Sequence, residues 1–265
     1  MSTSELPAPP LPPLELRQLV GPVDPAAFDN PSGAPVFPQV PLAAYESVLD
    51  FGCGCGRLAR QLLQSSARPE RYVGIDLHRG MIRWCRRHLA PLAPGFSFRH
   101  HDVFNRYFNP GRWKRRTASL PARDASITLV VAWSVFTHLT EEQAPFYLRE
   151  VARVLRPDGY FLSTWFLFDK QLFPMLHEFQ NALYVNHVDP TNAVVFDRAW
   201  LRRTARDAGL VIAHAEAPAV RGFQWLLVLR PTAAGATEVE LPPDDAPIGA
   251  LPPPLLATRA DRIGL

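Results

Sequence analysis

The stretch Ser47-Val48-Leu49-Asp50-Phe51-Gly52-Cys53-Gly54-Cys55-Gly56-Arg57 decides how this chain is read. A short apolar strand, Val48-Leu49, runs into an acid, Asp50, and the acid into three glycines at alternate positions. Residues 58–63, Leu-Ala-Arg-Gln-Leu-Leu, are helix formers. Glycine has no Cβ, so it allows tight left-handed turns and close approach of a ligand to the backbone. The N–H groups that open the following helix have no partner within it and face whatever is bound. The pattern predicts a strand–turn–helix unit that holds a nucleotide-like molecule.

The residues on the carboxyl side repeat the theme. Residues 71–76, Arg-Tyr-Val-Gly-Ile-Asp, read as a second strand ending in an acid, Asp76. Residues 80–89 place Met81, Ile82, Cys85 and Leu89 at helical spacing. Residues 96–102 alternate apolar and polar side chains and end in a third acid, Asp102. A basic loop follows at 105–123, with Arg112, Lys114, Arg115, Arg116 and Arg123. Residues 127–133 form a continuous apolar run, suited to a parallel strand covered on both faces. Thr140 is placed to cap a helix, with Glu142 or Gln143 bonding back, and that helix runs to about Leu155. Arg156-Pro157-Asp158-Gly159 ends it, and 160–166 is the next strand. Residues 169–197 have no clear period. A helix over 198–208 is closed by Gly209, and 210–213 with 225–229 make a last pair of strands. Strand–helix alternation predicts an α/β sandwich on a mainly parallel sheet.

Three segments are expected in this organisation. Residues 1–40 form a proline-rich arm, extended over 1–13, with a short helix over 14–20. Residues 41–230 form the domain, and 231–265 a disordered tail of Ala, Pro, Gly and acids. The 265 residues, 47% apolar and 20% charged, are those of a soluble globular protein, and the net charge of +3 is weak support for a polyanion partner. The three cysteines give no disulfide framework. Cys53 and Cys55 lack the second ligand pair of a zinc site, so no metal is expected. No signal peptide opens the sequence and no apolar run reaches about 20 residues. A cytoplasmic protein with neither membrane nor nucleic acid as partner is expected; the oligomeric state is open.

In such sheets a ligand sits at the carboxyl ends of the strands. A dinucleotide site would need a glycine where Arg57 stands, and Asp50 beside the turn disfavours a pyrophosphate. Asp76 is placed to accept both hydroxyls of a ribose. Asp102 is placed to accept the exocyclic amine of an adenine, with the Val103 N–H beside the ring.

Asp50-x-Gly52-x-Gly54-x-Gly56, Asp76, Asp102 and Leu155-Arg156-Pro157-Asp158-Gly159 together resemble the class I S-adenosylmethionine-dependent methyltransferases, over about residues 45–230. The resemblance implies a Rossmann-like three-layer sandwich. Its seven-stranded sheet has the order 3-2-1-4-5-7-6, with strand 7 antiparallel. It also implies that Gly52 and Gly54 pass under the methionine moiety of the cofactor, S-adenosylmethionine. Asp50, Cys53, Gly56, Leu77, Val103, Trp133 and Ser134 complete the implied cofactor set. The family often has an acid at the second position of the fourth strand; here it is Thr128, a departure that touches strand packing.

The reading of the acceptor side is thinner. His138 lies just past the fourth strand and is a candidate base or substrate contact; the other reading is a histidine that fixes its own loop. Trp133 and Trp165 either line the acceptor pocket or belong to the core. Tyr184, His187 and Asp189 fall in the irregular segment, where this family places substrate-covering insertions. The basic loop either steers an anionic acceptor or is solvated charge. The amine-methylating nucleic-acid enzymes carry Asn/Asp-Pro-Pro-Tyr/Phe after the fourth strand, where this chain has Ala132-Trp133-Ser134-Val135. The expected function is methyl transfer to oxygen or nitrogen of a small molecule. The alternative is a non-catalytic cofactor-binding partner or regulatory subunit of the same fold.

Overall fold

The structure, a computed structural model, describes residues 8–112 and 114–247. Its centre is β1 (Ser47–Phe51), every residue of which is buried. Parallel neighbours flank it: β2 (Arg71–Asp76) with β3 (Phe96–His100) outside it, and β4 (Ile127–Ala132) with β5 (Leu155–Phe168) outside it. Beyond β5 lies β9 (Gln224–Pro231), antiparallel, and beyond that β8 (Leu210–Glu216). With β8 and β9 as the sixth and seventh strands, this is the expected order 3-2-1-4-5-7-6 with the seventh antiparallel.

Alternation along the strands sorts side chains onto two faces. Leu49, Val73, Ile75 and Val130 pack with Tyr147, Leu148 and Val151 of α4 (Gln143–Val154) and Leu201 and Ala205 of α5 (Arg198–Asp207). Val48, Tyr72, Leu129 and Val131 pack with Leu58, Ala59 and Leu62 of α2 (Arg57–Leu63) and Ile82 and Cys85 of α3 (Arg79–His88). Helices on both faces explain why β4 reads as an unbroken apolar run. No helix among the described residues is long and apolar enough to cross a membrane.

Four features differ from the sequence reading. The sheet has two more strands, β6 (Ala182–Tyr184) and β7 (Val194–Asp197), a hairpin built from the irregular segment. Phe166 of β5 pairs with Gln224 of β9 and also with Val195 of β7. A strand residue has only two edges, so β7 runs along the edge that β4 uses lower down, past the point where β4 stops pairing at Ala132. Second, residues 156–159 do not end the helix. α4 stops at Val154, β5 starts at Leu155, and the four residues bulge out between the Ile127–Leu155 and Leu129–Tyr160 pairs. Third, the first helix, α1, is only Leu14–Arg17, because Leu19 and Val20 already make tighter bonds to the carbonyls three residues back.

Fourth, part of the expected disordered tail is docked. Val239 N donates to the Ile212 carbonyl at 2.8 Å, Arg198 to the Pro242 carbonyl, and Glu238 and Glu240 pair with Arg202 and Arg206 of α5. Local composition hides this, because the partners lie some thirty residues away in α5. Residues 248–265 of the expected tail, and 1–7 of the expected arm, lie outside the described residues.

Thr128 replaces the family's acid by hydrogen bonding. Its hydroxyl accepts from Ser47 N at 2.8 Å and reaches the Ala44 carbonyl at 2.7 Å, pinning the start of β1 to β4. The amino-terminal arm is held by Arg60, only 6% exposed, which donates to the carbonyls of Pro9 and Phe28 and pairs with Asp29.

Asp50 is enclosed by the sheet. It is 3% exposed and accepts a 2.5 Å hydrogen bond from the hydroxyl of Tyr72, itself wholly buried on β2. Burial pushes the Asp50 carboxyl up to about 7, against the pull of the Tyr72 hydrogen bond and the nearby Arg57 charge. Its position at the last turn of β1 thus sets up a buried pair between strands rather than a cation-binding surface.

Two outcomes are expected. Unfolded, Asp50 titrates near about 4, so between roughly pH 4 and 7 the folded chain holds a proton that the unfolded chain has lost. The contribution of this group to stability therefore falls as pH rises through that window. Asp50→Asn should match the parent at pH 4 and exceed it by about 1–3 kcal/mol at pH 8 in urea melts; identical pH profiles would remove the buried carboxyl as the cause. Arg60→Met should lower stability by about 2–3 kcal/mol, because it strands the buried Phe28 carbonyl and one side of an ion pair. An unchanged urea midpoint would show that the arm is held by its apolar contacts alone.

Candidate functional site

The loop after β1 is fastened to β2 by its own backbone. Gly52 N and Cys53 N both donate to the Ile75 carbonyl, at 2.8 and 2.9 Å, and Gly54 N donates to the Asp76 carboxylate at 2.9 Å. Gly52 and Gly54 have φ of +84° and +54°, which a side chain disfavours. Space forbids one as well: a Cβ at 52 would run into Val135, and one at 54 into Val20 of the arm. Gly56 then leads into α2. Cys53 and Cys55 are buried; burial pushes the Cys53 thiol well up and that of Cys55 to about 12, so both are neutral packing groups.

Asp76 ends β2 with both carboxylate oxygens held: Gly54 N on one and His78 N, at 2.7 Å, on the other. Burial raises its carboxyl above the ordinary value, and these two N–H groups oppose the rise. The Leu77 carbonyl accepts from His100 Nε2 at 2.8 Å. Asp76 is level with His100 in the β2–β3 ladder, so Asp102 lies just past the same end of the sheet.

Asp102 is not bare. Arg112 Nε approaches one carboxylate oxygen at 2.6 Å, while Asn109 Nδ2, at 3.1 Å, is on the other, with Arg79 and His100 at 3.6 Å. Partial burial would raise this carboxyl, but Asn109 and the surrounding positive charge together hold it below the usual range. The Val103 N–H, expected beside an adenine ring, donates to the His101 carbonyl at 2.9 Å. His101 is buried, bonded to the Tyr147 hydroxyl, with its pKa lowered to about 4 by burial.

The end of β4 carries the third group. Trp133 is 39% exposed and stacks on Phe37 of the arm, ring centres 6.0 Å apart. Ser134 has φ +58°, a strained value for a residue with a side chain. It is held there by two neighbours: its N–H donates to Thr164 Oγ1 of β5, and its hydroxyl accepts from Gln224 of β9, both at 2.7 Å.

His138 sits in a short 3₁₀ turn, Phe136–His138, and its Nδ1 donates to the Thr191 carbonyl at 3.0 Å. A carbonyl only accepts, so the proton is on Nδ1 and Nε2 is the basic nitrogen of the neutral ring. Thr191 is in turn fixed by the buried Asp189, which accepts its hydroxyl at 2.8 Å.

The other two residues expected on the acceptor side take different positions. Trp165 is wholly buried, bonded to Ser163 and packed on Phe136 and Phe196, because its position on β5 points into the α4–α5 face. Tyr184 lies on the outer strand of the hairpin, its hydroxyl accepting from Glu141 N at the start of α4. The residues that sequence reasoning missed, Phe37, Thr164, Gln224 and Thr191, act through contacts across 30 to 96 positions, which no local pattern carries.

Residues 48–159 match the family model described as a methyltransferase domain. A fatty-acid O-methyltransferase of Mycolicibacterium smegmatis is 34% identical over 117 residues, and a phthiotriol/phenolphthiotriol dimycocerosates methyltransferase of Mycobacterium ulcerans 35% identical over 121. Each match covers 44% of this chain and 36% of the relative, so the shared part is little more than a third of those proteins. A solved S-adenosylmethionine-dependent methyltransferase from Mesorhizobium loti shares the fold, with a TM-score of 0.50 at 15% identity over 72% of this chain and 94% of its own. The glycine turn fastened to an acid-ended second strand, the strand order and the matched segment agree: residues 48–159 are a methyltransferase domain of the class I, S-adenosylmethionine-dependent kind.

Proposed function

We propose that this chain transfers a methyl group from S-adenosylmethionine to an oxygen or nitrogen of a small, largely apolar acceptor. The observation that carries the proposal is the pair of carboxylates, Asp76 and Asp102, at the ends of adjacent strands beside the glycine turn. The donor set suits the cofactor's nucleoside half: a ribose and an adenine amine both donate, and both side chains accept. S-adenosylmethionine supplies a methyl group on a sulfonium sulfur, ready for in-line transfer.

The chain's own residues would do the rest. Asp76 would hold the ribose hydroxyls, oriented beforehand by Gly54 N and His78 N. Leu77 and Val103 would flank the nucleoside, and Gly52, Cys53, Gly54 and Gly56 would give the backbone surface under the methionine moiety. Trp133 and Ser134 would wall the passage toward the acceptor. His138 Nε2 would take the acceptor's proton, its tautomer set by the Thr191 carbonyl. Asp50 supports the turn from below.

An apolar acceptor is favoured by the surface of the inserted segment. Leu172, Met175 and Phe179 are 75%, 73% and 75% exposed, and Val185 and Val188 are also exposed. So much uncovered apolar side chain on one segment marks a contact surface. The two curated relatives, by name, methylate a fatty acid and phthiotriol-type dimycocerosates, which is consistent with this reading.

Three measurements test the proposal. Calorimetry with S-adenosylhomocysteine should show binding to the parent and a loss of at least about 100-fold in Asp76→Ala, since an engaged carboxylate supports more than one hydrogen bond; unchanged affinity would remove Asp76 from the ribose. S-adenosylhomocysteine release should be detected with long-chain fatty acids or phenolic lipids and not with hydrophilic alcohols or amines; the reverse pattern would overturn the apolar acceptor. With the acceptor in hand, His138→Ala should lower kcat by about 10²-fold or more while leaving cofactor affinity alone, and full turnover would remove it as a base.

A further inference from the structure

Both oxygens of the Asp102 carboxylate already have a partner, a hydrogen bond on one and an ion pair on the other. Asn109 holds one, and Arg112 Nε the other at 2.6 Å. The two partners differ in kind. Asn109 is buried and also donates to the Val103 carbonyl at 2.8 Å, so it belongs to the fixed frame of the loop. Arg112 closes a short 3₁₀ turn, Pro110–Arg112, and its side chain is 51% exposed. A half-exposed guanidinium can swing into water at little loss, because water replaces its partner.

The loop that presents Arg112 is pinned on both sides. Phe104 N donates to the Arg115 carbonyl, and Asn105 and Asn109 form a backbone bridge. Asn105 and Arg106 reach across to Thr191 and to the Val188 carbonyl. The backbone therefore stays in place while one side chain chooses between Asp102 and solvent.

Resting on the cofactor reading above, we infer that Arg112 is a latch on the adenine subsite: its guanidinium occupies the Asp102 oxygen that the adenine amine needs, and cofactor enters by displacing it. Arg112 thereby sets the cofactor affinity of the site. The apparent dissociation constant equals the intrinsic one divided by the fraction of molecules in which Asp102 is released, so removing the latch tightens binding with no new contact to the ligand. Arg79, the other guanidinium near Asp102, stands at 3.6 Å on the oxygen Asn109 already holds, and does not compete in the same way.

The test is titration calorimetry with S-adenosylhomocysteine on the full chain, the parent and three variants. Arg112→Ala should bind about 2- to 5-fold tighter, the range an exposed charge pair supports. Arg112→Lys, which keeps the charge but not the planar fork, should fall between the two. Arg83→Ala, an exposed cation on the outer face of α3, should match the parent, separating the latch from a change in net charge. Affinity unchanged or weakened in Arg112→Ala, or a gain equal to that of Arg83→Ala, overturns the latch. If the parent and Arg112→Ala both show no binding, the cofactor reading fails and the latch with it. Binding by the parent with no gain in Arg112→Ala refutes the latch alone.

Discussion

One backbone hydrogen bond, from Gly54 N to the Asp76 carboxylate, joins the turn after β1 to the end of β2. It does two things together. It fixes the path of the turn, which Gly52 N and Cys53 N have already tied to the Ile75 carbonyl. It also fixes the rotamer of the acid that ends β2, with His78 N as the second hold. A carboxylate held by two backbone donors needs no reorganisation when a ligand arrives, and that is the usual source of tight, oriented binding. The turn can make the bond only because positions 52 and 54 are glycines in left-handed backbone, with Val135 and Val20 closing the space above them.

The neighbours of the turn exist to keep it there. Val20, Leu19 and Leu16 of the arm pack over Cys55, Met81 and Phe28. The arm is anchored by Arg60, which rises from the helix the turn itself opens. Phe37, farther along the arm, stacks on Trp133 at the end of β4. The segment before β1 thus packs against the end of β4 as well as against the turn. Below the turn, the Asp50–Tyr72 pair fills the junction of β1 and β2 with polar groups that satisfy each other, at the expense of a carboxyl that resists ionising.

The parts that sequence reasoning reached are those with a local signature. Strands that end in acids, glycines at alternate positions, and helical spacing in 80–89 each describe a residue and its near neighbours, and they delivered β1 to β5 and the helices between them; the sheet order came only through the family resemblance. Gln143 bonds back to Thr140 N, as the capping pattern implied. The rest depends on distant partners. β6 and β7 have three and four residues, too few to show a period, and they form because the end of β5 offers an open edge. The docking of 232–247 needs arginines on α5. Trp165 and Trp133 look alike in sequence, and only strand direction sends one into the core and leaves the other at the surface. Arg112 reads as one more cation in a basic loop until Asp102 is seen beneath it.

The extra hairpin divides the site into two halves with different origins. The matched domain ends at Gly159, and β6 begins at Ala182. Everything that would hold the nucleoside lies inside the match. Thr191, which fixes the tautomer of His138, and the exposed apolar side chains of the insert lie outside it. Because β7 takes the β5 edge just past the end of β4, the insert extends the sheet beyond the matched strands without interrupting their pairing. Such an arrangement lets the acceptor side change while the cofactor side stays fixed. The methyltransferase match describes residues 48–159 and leaves 169–197 undescribed, so it speaks to the cofactor and is silent on the acceptor.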